Sequence, residues 1–512
     1  MFLDKHLKKI NRYGNTIYSI GLSKKEENLF EDYDFNYFKH SKFLPILEKL
    51  KGSFCIVIIC ENFELLIVDR VRSRPLFYRS VEQKIEYSDS INQLISGNND
   101  LNMSSIQLFK SSGIFLNSNT FVNGINQIES GNYLVIDKVE KSYNIKQYYA
   151  YKKSGSETFS LEELDNIYNN CIKRLIEKAD GKKICVPLSA GEDSRLIVKK
   201  LHEYKYTNVL CYTFGKKGNK EAVISKKIAE KYNFEWHFIE YDKKMWKALF
   251  LSEDFNDFTK FSLNKAGLPH VLDFMAVKEM VNNNIIPKDV LFCPGHSGDF
   301  VAGTHIPKNL FDFNKYDFNI LINYIIYKHF YLNDIEGIDD LKKQIISSLN
   351  VNSKTLSPEQ YAELIEYWDW KERQSKFIVN SVRVYEYFGF DWDIPLWDFD
   401  IMKLWNMTCY KNKLDRNYYI KYSNKFIKEL NNSNRSTLSM FKKKGKVYLS
   451  SIGMVRDIYK ILEYYTHPMN WYSDGFFKYV KHYFANKKYS INSKVANYSV
   501  EILCNSDKED KL

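Results

Sequence analysis

No Cys-x-x-Cys pair occurs in this 512-residue chain, whose eight cysteines stand singly and mostly in apolar stretches. That excludes a paired-cysteine zinc site and fits the reduced thiols of a cytoplasmic protein. No apolar run reaches the length of a membrane span, although 44% of the residues are hydrophobic. The charged N-terminus also lacks the sustained apolar region that a secretory signal needs. Internal repeats and low-complexity tracts are missing too. The chain is long enough for two or more cores, and the expectation is a soluble two-domain protein. Its net charge of +11 keeps nucleic acid open as a partner, because basic side chains serve phosphate contacts.

The most telling stretch that is present is Val186-Pro187-Leu188-Ser189-Ala190-Gly191-Glu192-Asp193-Ser194. Ile184 to Leu188 read as a buried strand, and Ala190 and Gly191 leave little side chain in the way. Arg195 to Leu201 then begin an apolar-periodic helix whose first amides point at the turn. Backbone N–H groups, the Ser189 and Ser194 hydroxyls and the metal-ready Asp193 suit a diphosphate. The same residue types build ordinary turns and helix N-caps, so the stretch alone leaves both readings open.

Asn208 to Phe214 read as the next parallel strand and Glu221 to Glu230 as an amphipathic helix. Leu291-Phe292-Cys293-Pro294-Gly295-His296-Ser297-Gly298-Asp299 is another apolar strand ending in a glycine-rich turn with an acid. In the N-terminal third, Gly52 to Ile59, Leu65 to Arg70, Arg74 to Tyr78, Ile85 to Ser88 and Gly131 to Asp137 read as short strands. The polar stretch 151–159 reads as a linker ahead of a helix from Leu161 to Ala179.

The loop after Leu188 resembles the Ser-Gly-Gly-x-Asp-Ser loop of ATP-pyrophosphatases, which split ATP between the alpha and beta phosphates. Ala190 stands where that family has its first glycine. The Gly295–Asp299 turn looks like the second pyrophosphate-contacting loop of the asparagine synthetase family. The N-terminal strands are similar to the glutamine amidotransferase domain fused ahead of the synthetase domain in asparagine synthetases and beta-lactam synthetase.

The resemblance implies an α+β amidotransferase-like sandwich over residues 1–150 and an α/β ATP-pyrophosphatase domain over residues 160–430. Residues 431–512 are expected to form a basic, aromatic, mainly helical extension. Active amidotransferases use a cysteine exposed at the mature N-terminus. This sequence begins Met1-Phe2-Leu3-Asp4 and its first cysteine, Cys55, lies in an apolar strand, so a domain without glutaminase activity is expected.

By the same resemblance, Leu188, Ser189, Gly191, Asp193, Ser194, Phe214 and Gly295 contact ATP and pyrophosphate. Asp193 and Asp299 share one Mg²⁺, which neutralises charge on the leaving group. The block from Glu372-Arg373-Gln374 through Tyr385 to Asp398 looks like the helix-then-loop segment that the family writes as Glu-x-Arg-x-Pro-Phe-Leu-Asp. Aligning on Pro395 and Asp398 puts Asp391 at the family glutamate and Asp393 at its arginine, a reversal of charge. His296 and Asp391 then stand where the family has a catalytic pair. A histidine oriented by a carboxylate is a good general base near neutral pH. A lysine that stabilises transition-state charge is also implied, but Lys411, Lys413, Lys442, Lys443, Lys444 and Lys446 are not distinguished.

The expected function is that of an ATP-dependent, AMP-forming ligase that adenylates a carboxylate and transfers it to ammonia or an amine. The acid is aspartate, a sugar uronate of a surface polysaccharide, or a peptide or natural-product acid. The ammonia comes free or from a separate glutaminase. A tRNA-modifying ATP-pyrophosphatase and a catalytically inactive scaffold are the alternatives. The basic, aromatic run Tyr472 to Phe484 reads as an amphipathic helix, either packed on its own domain or in peripheral contact with anionic lipid.

Overall fold

The computed structural model describes residues 7–427 and 490–509, except positions 13, 31, 32, 34, 36, 37, 39, 97–99, 308–316, 350 and 352–354. The described residues are α/β with three sheets. Its N-terminal part holds β1 (Lys8–Arg12), β2 (Asn15–Ile20), β3 (Cys55–Ile59), β4 (Phe63–Val68), β5 (Phe77–Val81), β6 (Lys84–Ser88), β7 (Asn126–Gln127), β8 (Asn132–Asp137) and β9 (Ser142–Gln147). These form a six-stranded antiparallel sheet in the order β1-β2-β3-β4-β8-β9 and a three-stranded sheet in the order β6-β5-β7.

The runs Cys-Ile-Val-Ile-Ile and Leu-Leu-Ile-Val of β3 and β4 are apolar at every position because both of their faces are covered. Ile56, Ile58, Leu65 and Ile67 pack with Phe43 and Leu47 of the helix His40–Lys49. Cys55, Val57, Leu66 and Val68 pack with Leu76, Tyr78 and Tyr87, on or beside the small sheet. The layers are therefore helix, large sheet, small sheet. The strand expected at Arg74 begins only at Phe77, because the buried Asp69 carboxylate accepts the amides of Phe54, Val71 and Ser73 and holds 69–73 in a turn.

The third sheet is parallel: β10 (Ile184–Pro187), β11 (Val209–Gly215), β12 (Glu235–Glu240), β13 (Leu291–Phe292) and β14 (Asp391–Trp392). Its order is β12-β11-β10-β13-β14. The chain thus winds one way from β10 through β12 and returns to build the other half beside β10. Such a reversal opens a crevice beyond the carboxyl ends of the two central strands. The helix expected from Leu161 to Ala179 is present, with a Ser160–Glu163 capping box. The helix after β10 runs Glu192–Glu203, starting earlier than its apolar period suggests, so Asp193 and Ser194 lie in its first turn.

Residues 151–159 link the two parts, yet the core beneath the parallel sheet extends into Ile106, Phe109, Phe115 and Ile125 of the first. Polar contacts cross as well. Trp370 Nε1 donates to the Arg70 carbonyl at 2.8 Å, and Lys265 Nζ meets Asp89 Oδ2 at 2.7 Å. A π-helical stretch, Asp369–Ile378, carries Glu372 and Lys376 into the same boundary. All eight cysteines are free thiols. Among the described residues no helix is long and apolar enough to cross a membrane. The segment 472–484 and Lys442, Lys443, Lys444 and Lys446 lie outside the described residues.

Candidate active site at the switch point of the parallel sheet

The crevice between β10 and β13 is a cleft of about 450 Å³. Leu188, Ser189, Gly191, Asp193, Ser194, Phe214, Gly295, His296 and Asp299 all line it. On the β10 side, Ser194 Oγ accepts the Ser189 amide at 3.1 Å and lies 3.2 Å from Ser189 Oγ, while Ser189 Oγ accepts the Gly191 amide at 3.1 Å. The loop is folded on its own hydroxyls and delivers Gly191 as the N-cap of a twelve-residue helix. No side chain caps that helix, and the first amides of an uncapped helix form a site for anions.

The β13 side closes onto this turn. A Cβ on Gly295 would lie 2.8 Å from the Ser194 amide nitrogen, and one on Gly298 would lie 2.7 Å from Asp193 Cγ. Glycine is needed at both places for close approach, and neither requires a positive φ. The Asp299 amide donates to Asp193 Oδ2 at 3.0 Å, and Tyr419 donates to Oδ1 at 2.7 Å. Burial, and next the charge of Asp299, push the Asp193 carboxyl up to about 7. Two carboxylates that repel one another in a cleft suit a divalent cation completed by phosphate oxygens. Among the described residues no cluster of three or more acidic, histidine or cysteine ligands forms, so a metal here would draw its remaining ligands from substrate.

The structure does not bring His296 and Asp391 together. Asp391 pairs in register with Leu291, at the amino end of β13, whereas His296 follows the carboxyl end of that strand. The Asp391 side chain is 61% exposed and lies 3.8 Å from Lys182. His296 Nε2 instead meets Ser381 Oγ at 2.5 Å, and burial lowers the imidazole to about 4 against the opposing charge of Asp273. It is a neutral hydrogen-bonding group and a weak base. Asp393 is bound to Lys178 at 2.9 Å. Lys413 is buried against Glu366 at 2.6 Å and does not line the cleft.

Sequence reasoning missed Asp273, Tyr385, Glu192, Glu221 and Arg416, which also line the cleft. Arg416 reaches Glu192 at 3.3 Å. Asp273 carried a readable signal, a lone acid in the apolar run Val271-Leu272-Asp273-Phe274-Met275-Ala276-Val277. Behind the β13 loop, Ser297 donates to Gln374 at 2.9 Å, and Gln374 donates to Asp369 at 3.1 Å. Burial opposes ionisation of Asp369, but His305, its charge and hydrogen bond together, outweighs that and holds the carboxyl well below the usual range.

His329 Nε2 lies 3.8 Å from Asp369, and burial pulls its imidazole down to about 3. The unfolded chain binds that proton first, so the stability from neutral His329 is present above pH about 6.5 and is lost as pH falls toward about 3. The stability difference between wild type and His329→Gln is expected to shrink by roughly 2–3 kcal/mol between pH 6.5 and 4.5. Urea denaturation at both pH values measures it, and a constant difference would refute it.

Fold and site together define a doubly wound α/β unit with an acidic cleft at its switch point, joined to an antiparallel two-sheet unit. No protein-family model matches the sequence. No curated protein matches it either. Matching solved structures include one described as the allosteric regulatory enzyme of purine biosynthesis, at 10% identity over 45% of this chain and 61% of that one, with a TM-score of 0.19. Another is glutamine phosphoribosylpyrophosphate amidotransferase from B. subtilis complexed with ADP and GMP, at 10% identity over 57% and 64% of the two chains, with a TM-score of 0.17. The match spans less than two thirds of either structure.

Proposed function

We propose that the chain is an ATP-dependent, AMP-forming ligase of the asparagine synthetase type, in which the cleft adenylates a carboxylate and passes the acyl group to a nitrogen nucleophile. The observation that carries this reading is the contact of the two turns, with Asp193 bonded to the Asp299 amide beside an uncapped helix N-terminus. Ser189, Ser194 and the first helical amides would hold the pyrophosphate. Asp193 and Asp299 would hold Mg²⁺, which supplies neutralisation of the leaving diphosphate. Phe214 and Leu188 offer apolar surface for the adenine. His296, neutral and tied to Ser381, would donate or accept a hydrogen bond in place of the general-base role. The N-terminal sandwich is read as amidotransferase-like, with ammonia or an amine as nitrogen source.

Pyrophosphate release from Mg-ATP with ammonium and a panel of carboxylates tests the reading. Acid-dependent release is expected in the wild type, reduced roughly 100-fold or more in Asp193→Ala. Equal release in both proteins, or none across the panel, would sink it.

A further inference from the structure

We infer that Tyr419 is a positioning residue, fixing the Asp193 carboxylate so that its remaining lone pairs serve a divalent cation. This deepens the ligase reading and rests on its assignment of Asp193 as a Mg²⁺ ligand. Tyr419 is fully buried and packs against the rings of Trp405 and Tyr422. Its hydroxyl donates to Asp193 Oδ1 at 2.7 Å, while the Asp299 amide donates to Oδ2 at 3.0 Å. Burial, and next the charge of Asp193, keep the phenol protonated. Each carboxylate oxygen carries two lone pairs, so one is left on each after these bonds.

Both donors are neutral. They orient the carboxylate without cancelling its charge, which stays available to a cation. Tyr422, on the same helix (Asn417–Tyr422), shows the contrasting arrangement. Its hydroxyl donates to Asp165 Oδ1 at 2.8 Å, but Lys200 Nζ already meets that oxygen at 2.7 Å, and Asp165 is not among the residues that line the cleft. A phenol there secures packing alone.

The backbone ahead of this helix serves the same end. Asp415 and Arg416 take consecutive left-handed conformations, at φ +52° and +56°, which residues with a Cβ adopt at a cost. Such strain persists where the surrounding structure holds it in place, and it gathers at functional sites. The turn they make brings Arg416 within 3.3 Å of Glu192 and sets Tyr419 on Asp193. One short segment thus grips two neighbouring acids in the first turn of the helix Glu192–Glu203.

The test compares wild type, Tyr419→Phe and Tyr422→Phe. Each is titrated with Mn²⁺ in the presence of α,β-methylene ATP, and free Mn²⁺ is followed by its paramagnetic resonance. Binding of the analogue without metal and the urea unfolding midpoint are measured alongside. Tyr419→Phe is expected to weaken Mn²⁺ binding roughly tenfold or more, the loss that follows removal of a ligand's hydrogen-bonding partner, with metal-free analogue affinity unchanged. Tyr422→Phe is expected to lower the unfolding midpoint and keep wild-type Mn²⁺ affinity. Equal Mn²⁺ affinity in wild type and Tyr419→Phe, equal weakening in the two variants, a matching loss of metal-free analogue affinity, or no Mn²⁺ bound by wild type would overturn the assignment. Acid-dependent pyrophosphate release is scored separately. Mn²⁺ binding weakened in Tyr419→Phe alone sustains the positioning role even if no acid turns over and the ligase reading falls. Release by wild type with unaltered Mn²⁺ binding in Tyr419→Phe removes the role and leaves that reading standing.

Discussion

Glu372→Ala is expected to destabilise the protein by about 3–5 kcal/mol, as removal of one partner of a buried ion pair does. Glu372 and Lys376 are one turn apart in the π-helical stretch, both side chains are 0% exposed, and Nζ lies 2.6 Å from Oε2. The pair also joins the two parts of the chain. Glu372 accepts the Asn117 amide at 3.2 Å, and Lys376 donates to the carbonyls of Phe115 at 3.1 Å and Asn117 at 2.6 Å. Burial pulls the Lys376 ammonium down, and the Glu372 charge is what opposes that. Without Glu372, a charged lysine is left in a dry boundary with two carbonyls and only the weaker pull of Glu129. The double variant Glu372→Gln/Lys376→Met removes both charges and is expected to recover most of the loss. Urea denaturation of wild type, Glu372→Gln, Lys376→Met and the double variant closes the cycle. A single variant within about 1 kcal/mol of wild type would show that water reaches the pair.

The central half of the site was legible because both of its strands are short apolar runs that break into glycine-rich turns. Nothing but a buried strand and a close-packed turn accommodates Val186 to Ser194 or Leu291 to Asp299 together. Edge strands were harder to read. β12 carries Glu235, Trp236, His237 and Phe238, and only Ile239 of its six residues is buried, so neither alternation nor an apolar run marks it. β1 is one apolar residue in five, and β9 is mostly exposed. Long-range register was not legible at all. The spacing from Asp391 to Pro395 and Asp398 is a local property, whereas pairing with Leu291 sets which end of the sheet Asp391 occupies. That pairing sends Asp391 to Lys182 and leaves His296 to Ser381, a residue on the preceding helical segment with no sequence mark of its own.

Gly298→Ala is expected to lower the proposed acid-dependent pyrophosphate release on the order of 100-fold, because misplacement of a catalytic group by about 1 Å is costly. The added Cβ would sit 2.7 Å from Asp193 Cγ and 2.8 and 2.9 Å from its two oxygens. Asp193 has little room to withdraw. Its oxygens are held by Tyr419 and by the Asp299 amide, and its helix packs through Leu196 and Ile197 into the core. The β13 turn must move instead, and Ser297, at φ +66° and bonded to Gln374, ties that turn to the buried Asp369 network. Part of the strain will therefore appear as lost stability, about 1–3 kcal/mol for an overpacked contact. Gly52→Ala is the matched control, since a Cβ there meets nothing within 4 Å and the backbone needs no positive φ. It is expected to keep wild-type activity and unfolding midpoint. If Gly298→Ala keeps full activity, the close contact of the two turns is not part of the chemistry. If it loses stability and activity in step with Gly52→Ala, the effect is the methyl group and not its place beside Asp193.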